Sequence, residues 1–334
     1  MLEWLLRRFV TFCRLVRCVC VRILTSKMTL SGRIATLALA LALSLPAPLA
    51  AQVEGDSPAS DDDEIVVTGT IGEISVSQVQ RQARDIAVNH GNVLETPLAR
   101  FEDRLCPGVV GLEEDFAFAL NARIRMNADA LGVRLLEDDC RPNFVVVFAE
   151  DGEQLFRNLI DESPQYFRFL DSGEVADILE PGPAHVWTNV EPRTLTGMPI
   201  AQVRNLTAMP TMRVWGAHSR IYTAARNDIV SVMITFDRDA VRGFSLRQLA
   251  DYATMRGLAQ TRIPRDTVMD SILSLFDSET PPVGLTEFDQ AYLRSLYDGI
   301  PNLPAFRKIS GTTRQLRLMA EEAAGEAAAS ASGE

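Results

Sequence analysis

The chain carries little imidazole. Its 334 residues include three histidines, His90, His185 and His218. None has a second histidine at ligand spacing. Zinc hydrolysis needs at least three N or O ligands, one open coordination position and a carboxylate to take a proton from the metal-bound water. Two histidines from the sheet side and a carboxylate would have to meet in space to build such a centre. His185 and His218 instead stand at predicted strand starts, where a solvated or capping imidazole is the ordinary case. Other chemistries find no better footing. There is no Gly-x-Ser-x-Gly elbow, no Gly-rich phosphate loop and no Cys-x-x-Cys. Asp61-Asp62-Asp63 and Asp138-Asp139 read as acidic turns, because calcium loops need wider alternation and a distal Glu. Trp187 and Trp215 have the size to line a cleft, but such residues more often anchor a core. No cofactor and no metal are implied.

The five cysteines fall into two groups. Cys13, Cys18 and Cys20 lie in the first 27 residues, and Cys106 and Cys140 in the body. Two cysteines in the body of an exported chain imply one disulfide, Cys106–Cys140. It would close a loop of about 35 residues and stabilise by roughly 3–4 kcal/mol on chain-entropy grounds.

Export is read from residues 28–51. Arg33 provides a short positive region, and residues 34–45 are an apolar run of signal-peptide length. Pro46 and Pro48 break the run, and Ala50-Ala51 offers a cleavage site before Gln52. No Cys follows, which argues against a lipid anchor; an uncleaved membrane anchor is the alternative. The true start is expected at Met28, with a basic amphipathic segment at a membrane surface as the other reading of residues 1–27. The chain is expected to be periplasmic or secreted, with no stable membrane span once mature. Its formal charge is −11. Residues 1–51 hold seven basic residues and one acidic, +6, so the remainder carries −17. An acidic body argues against nucleic acid as a partner, since phosphates need a basic face. Lys27 and Lys308 are the only lysines, a compositional bias without functional meaning.

Four segments follow: targeting over 1–51, an acidic flexible linker over 52–95, a folded domain over 96–309 and an Ala/Glu-rich tail over 310–334. The linker holds one short helix at most. Within the domain, 113–131 has helical spacing, with Phe116, Leu120, Ile124, Ala128 and Leu131 on one face and Gly132 at its end. Residues 144–148, Phe-Val-Val-Val-Phe, are a continuous apolar run and so a buried strand. Helices are predicted over 153–160 and 175–179 and a strand over 185–190; 197–211 reads as a loop. Residues 219–225 and 229–236 are predicted to form a hairpin about Arg226-Asn227-Asp228. In its second strand Val230, Val232 and Ile234 share one face, and Ser231, Met233 and Thr235 the other. Ser245 to Gln248 and Thr286 to Asp289 are capping-box patterns opening helices over 245–261 and 286–297.

Residues 244–299 carry a resemblance. Ser271-Ile272-Leu273 and Leu285-Thr286…Asp289…Leu296-Tyr297, after the helix over 245–261, resemble the C-terminal half of zincin metalloproteases of the matrixin kind. There a His-Glu-x-x-His helix precedes a Ser-Ile-Met turn and a Leu-Thr-x-x-Asp helix. The resemblance implies an α+β, zincin-like fold: a small twisted mixed sheet on helices, with a central helix beneath it and a C-terminal helical part. With Gly257 at the family's helix glycine, Ala250 stands at the first His position, Asp251 at the Glu and Thr254 at the second His. The ligand letters are therefore replaced. A second stretch, the eight residues Asp63–Thr70 with Glu64–Gly69 at their centre, resembles the TonB box of outer-membrane transporters, and implies at most an arm that adds as a strand to an envelope partner.

The resulting expectation is an exported, non-catalytic zincin-like domain that binds a peptide or envelope protein. The alternatives are a hydrolase with a rearranged site using Asp251 as base, and a structural periplasmic protein.

Overall fold

The computed structural model describes residues 75–89, 91–200, 219 and 221–331. The predicted targeting segment, the Glu64–Gly69 stretch, His90, His218 and Trp215 lie outside them. The described chain is a mixed α/β structure built on a sheet of mainly parallel strands with seven α-helices. The helices are α1 Val76–Ile86, α2 Glu114–Ala130, α3 Gly152–Glu162, α4 Ser172–Ile178, α5 Leu246–Ala259, α6 Glu287–Tyr297 and α7 Ala305–Ala331. The strands are β1 Ala99–Arg100, β2 Pro107–Val110, β3 Phe144–Ala149, β4 Ala184–Arg193 and β5 Arg226–Asp237. No helix among the described residues is long and apolar enough to cross a membrane.

β5 is the middle of the sheet. β4 runs antiparallel along one of its edges. On the other edge β3 lies parallel to its C-terminal half and β1 to its start, and β2 lies parallel outside β3. Alternation along β3 and β5 divides the interior in two, because successive side chains leave opposite faces. Phe144, Val146, Phe148, Val232, Ile234 and Phe236 pack into the main core with α2, α5 and α6. Met233 joins Phe156, Phe167, Ile178 and Trp187 in a second cluster under α3 and α4.

The predicted hairpin is not formed. Residues 221–225 carry no strand, and Arg226-Asn227-Asp228 opens one long strand instead of turning between two. The turn-forming side chains are used otherwise. Asn227 Nδ2 donates to Pro97 O at 3.0 Å, and Asp228, fully buried, takes Arg226 at 2.9 Å and Arg193 at 3.5 Å. Tertiary ion pairing thus converts a turn signal into the start of a strand. The antiparallel partner of β5 is β4, with Arg193 opposite Arg226 and Ala184 opposite Phe236. The predicted alternation holds for Val232 and Ile234 against Met233 and Thr235 but fails at Val230. A register shift at Asn189/Val190 faces that part of β5, and Ile229 fills the core in its place.

Three other boundaries move. Val79, Ala83 and Ile86 of α1 belong to the main core, so packing does not divide at residue 95. The last helix begins at Ala305 and runs to Ala331, with Ile309 and Leu316 buried. Phe116 is half exposed, at 50%. The buried stripe of α2 begins at Leu120, where that helix meets β2 and α5.

Ten of the fourteen residues of α5 are buried, the pattern of a helix enclosed on all sides. Gly257 allows its close approach to the sheet, since a Cβ there would lie 2.4 Å from Phe144 Cε2. The disulfide is present: Cys106, just before β2, joins Cys140, just before β3, with Cα atoms 6.1 Å apart. Asn143 reinforces the junction by accepting from Cys106 N at 2.8 Å and donating to Arg104 O at 3.0 Å. Replacing either cysteine by serine is expected to lower the melting temperature by several degrees, about 3 kcal/mol spread over a domain of this size. Calorimetry of oxidised and reduced protein checks it; equal melting temperatures would contradict it.

Candidate functional site

The three positions Ala250, Asp251 and Thr254 come together on α5, and all are fully buried. Ser245 starts the helix by accepting from Gln248 N while the Gln248 side chain accepts from Ser245 N, which fixes where each later side chain points. Asp251 then meets α2. Its Oδ1 accepts from Arg123 Nε at 2.7 Å and Asn127 Nδ2 at 2.7 Å. Its Oδ2 accepts from Arg123 Nη2 at 2.8 Å and from Leu285 N, in the loop before α6, at 3.0 Å. Thr254 Oγ1 accepts from Asn127 Nδ2 at 3.0 Å and donates to Ala250 O at 2.8 Å.

Four donors occupy the carboxylate, two of them from one planar guanidinium in fork geometry. Asp251 in turn pushes the Arg123 guanidinium above its ordinary range, through the hydrogen bond first and against some desolvation. A base must offer a lone pair to a substrate proton within hydrogen-bond reach. Here the lone pairs are taken by the fold, and among the described residues no partner of Asp251 is a histidine. Asp251→Ala is expected to destabilise by about 2–4 kcal/mol, the cost of leaving a partly buried arginine and an asparagine without their acceptor. Urea denaturation measures it, and a loss under 0.5 kcal/mol would contradict the joining role.

His185 lies on the other face of the sheet. Its Nδ1 is 2.9 Å from Ile178 O, and its Nε2 is 4.0 Å from Asp237 Oδ1 with no hydrogen bond. Asp237 also accepts from Gly152 N at 2.6 Å, at the start of α3. A Cβ on Gly152 would lie 2.6 Å from both Asp237 Oδ1 and His185 Cδ2, so the glycine admits this contact. Among the described residues no three His, Cys, Asp or Glu side chains converge in a metal-binding arrangement. Asp138 is exposed and 3.9 Å from Arg125, and Asp139 takes a positive φ of 64°, as acidic turn residues do.

The Ser271 turn and α6 do meet, through one buried carboxylate. Asp289 Oδ1 accepts from Ser271 Oγ at 2.6 Å; Oδ2 accepts from Ile272 N at 2.7 Å, Thr286 N at 3.0 Å and Thr286 Oγ1 at 2.9 Å. Tyr297 completes the joint, donating to Leu258 O at 2.8 Å and accepting from Phe101 N at 3.1 Å. Burial pushes the Asp289 carboxyl up from 3.8 to about 6 despite its four donors. A raised carboxyl pKa means the folded form holds its proton more tightly than the unfolded chain. Its contribution is fully present below about pH 4 and is lost as pH rises through about 6, an effect on the order of 3 kcal/mol. Asp289→Asn keeps an acceptor for Ile272 and Thr286 and places a donor beside Ser271. Stability measured from pH 4 to 7 is expected to lose the corresponding slope in that variant. An unchanged slope would place the titration elsewhere.

The open cleft is elsewhere than Asp251. A groove of about 530 Å³ runs between β4 and the C-terminal half of α5. Ala184, Val186 and Thr188 line it from the strand, and Tyr252, Arg256 and Gln260 from the helix. Phe276 and Asp277, just past the 3₁₀ turn Ile272–Ser274, close one end. Tyr252 and Phe276 are edge to face at 5.0 Å, and Arg256 lies 5.8 Å above the Tyr252 ring. Glu174, Asp177 and Glu180 form an acidic lip; Arg256, Arg262 and Arg265 form a basic one. Trp187 lines the groove while its ring packs 5.3 Å from Phe167, so it serves as both anchor and wall. Over 184–189, β4 has a strand neighbour only on its β5 side among the described residues. Beyond that the chain folds back, with Ile200 N donating to Pro192 O at 2.9 Å.

Arg123 and Asn127 could not be read as partners of Asp251 from the sequence, because more than 120 residues separate them. The groove has no local signal either, since its walls come from four separate elements. Comparison of the chain with family models, with curated proteins and with solved structures finds no match.

Proposed function

We propose that the chain is an exported, non-catalytic, zincin-like domain that holds an extended peptide or envelope-protein segment along the side of β4 away from β5. The observation that carries this is the juxtaposition of a groove of about 530 Å³ with a side of β4 that, over 184–189, has no strand neighbour among the described residues. Strand addition draws affinity from main-chain hydrogen bonds, and pockets beside the strand choose side chains. The acidic and basic lips favour a segment with opposite charges at its two ends, and the Tyr252–Phe276 rings favour an apolar residue between them.

The zincin-like part of the reading is supported by the enclosed α5 beneath the sheet and by the bonds joining Ser271 and Ile272 to Asp289. In zincins extended substrates lie along the sheet edge, a mode that needs no metal. The non-catalytic part is supported by Asp251, whose acceptor sites are filled by Arg123, Asn127 and Leu285. Nothing in the geometry favours Asp251 as a base. The periplasmic or secreted setting agrees with the Cys106–Cys140 bridge.

A displayed library of extended peptides, screened against the purified full chain, tests the reading. Binders are expected to weaken about tenfold with Ile263→Asp, which charges an exposed apolar position in the groove. Metal analysis of the same preparation is expected to find no stoichiometric zinc. Peptide cleavage, or one zinc per chain lost with a His185 or His218 variant, would overturn the proposal.

A further inference from the structure

Behind Asp251 lies a second, smaller cavity, of about 220 Å³, between α2, α5 and α6. All of its ionisable lining residues are arginines, Arg123, Arg247 and Arg294, in a chain whose net charge is −11. Leu131, Leu285 and Leu293 supply its apolar wall. The arginines are not equivalent. Arg123 is pinned by Asp251 through Nε and Nη2, and its Nη1 makes no hydrogen bond among the described residues. Arg247 comes no closer to Asp251 than 3.9 Å and makes no hydrogen bond among the described residues. Arg294 holds Glu322 of α7 at 3.2 Å, on the exposed side.

Two carboxylates therefore face three guanidinium groups. One of these, Asp251, is saturated and fully buried, and the other, Glu322, is largely exposed and screened by solvent. Positive charge remains in excess at the mouth, with one guanidinium pre-oriented by a rigid fork. Guanidinium N–H groups left without an acceptor in this way can donate charge-assisted hydrogen bonds to a carboxylate. The leucines beside it would cover an apolar body, as small-molecule sites combine a mostly apolar wall with a few placed polar groups. A cavity of about 220 Å³ suits a short chain and not a polymer.

We propose that this cavity binds a small organic carboxylate with a short, branched apolar body, separately from the β4 groove. The charged end would meet Arg247, Arg294 and the unused Nη1 of Arg123, and the body would rest on Leu131, Leu285 and Leu293.

Isothermal titration of the full chain with 4-methylpentanoate tests this, with 4-methylpentan-1-ol and inorganic phosphate as comparison probes. The double variant Arg247→Gln/Arg294→Gln removes charge at two well-exposed side chains, 60% and 39% accessible, and leaves the Arg123–Asp251 fork in place. Saturable one-to-one binding of the carboxylate is expected, about tenfold or more tighter than the alcohol and weakened about tenfold or more in the double variant. Binding that is absent, equal for the alcohol, or unchanged in the double variant would overturn the proposal. Phosphate binding as tightly as the carboxylate would also overturn it, since the leucine wall would then contribute nothing.

Discussion

One buried carboxylate sets the relation of three helical segments. Asp251 sits at the centre of α5 and takes hydrogen bonds from α2 twice through Arg123, once through Asn127, and from the loop leading into α6 through Leu285 N. Such a group is stable inside a protein only when its donors are complete. The geometry of α2 against α5 is therefore held by the need to satisfy it. The Arg123 fork allows one orientation of α2, and the Leu285 bond sets where the chain must begin α6. The arginine-lined cavity is a by-product of this constraint, formed where the three segments diverge around the satisfied charge.

A second carboxylate repeats the solution one layer further along. Asp289 gathers the Ser271 turn and the first turn of α6, and Tyr297 ties the end of α6 back to α5 and to the backbone after β1. With α5 fixed by these joints and by the close approach of Gly257 to Phe144, the C-terminal half of the helix is held at a set distance from β4. That distance is the width of the groove. The same anchoring keeps the Tyr252 and Phe276 rings in contact at its floor. A cleft walled by side chains that are already packed needs little ordering when a segment enters, which favours binding.

The sheet and its two clusters place His185 away from that cleft. His185 alternates toward α3 and α4, where its Nδ1 meets Ile178 O, while its neighbour Val186 faces the groove. The period of two along a strand makes this separation unavoidable. An imidazole at 185 cannot join a carboxylate at 251 while β4 keeps its register on β5.

Much of the local structure was legible in the sequence. The capping boxes at Ser245 and Thr286, the apolar run at 144–148, the glycine after α2 and the lone pair of body cysteines each state their structure within a few residues, by hydrogen bonding, burial or covalent chemistry. What failed was local evidence answered by distant partners. Arg226-Asn227-Asp228 has turn composition, yet Arg193 and Pro97 O make it a strand. Phe116 has the right helical phase, yet it stays half exposed. Asp251 reads as an ordinary exposed helix acid, and only the packing of α2, more than 120 residues earlier, makes it the buried centre of the helical layer. Sequence by itself determined the elements whose signals lie within one or two turns of chain, such as the capped helices and the apolar strand at 144–148. Tertiary structure alone decided which charges were neutralised, which strand lay beside β5 and where a cleft remained, because each depends on groups that meet only after the chain has folded.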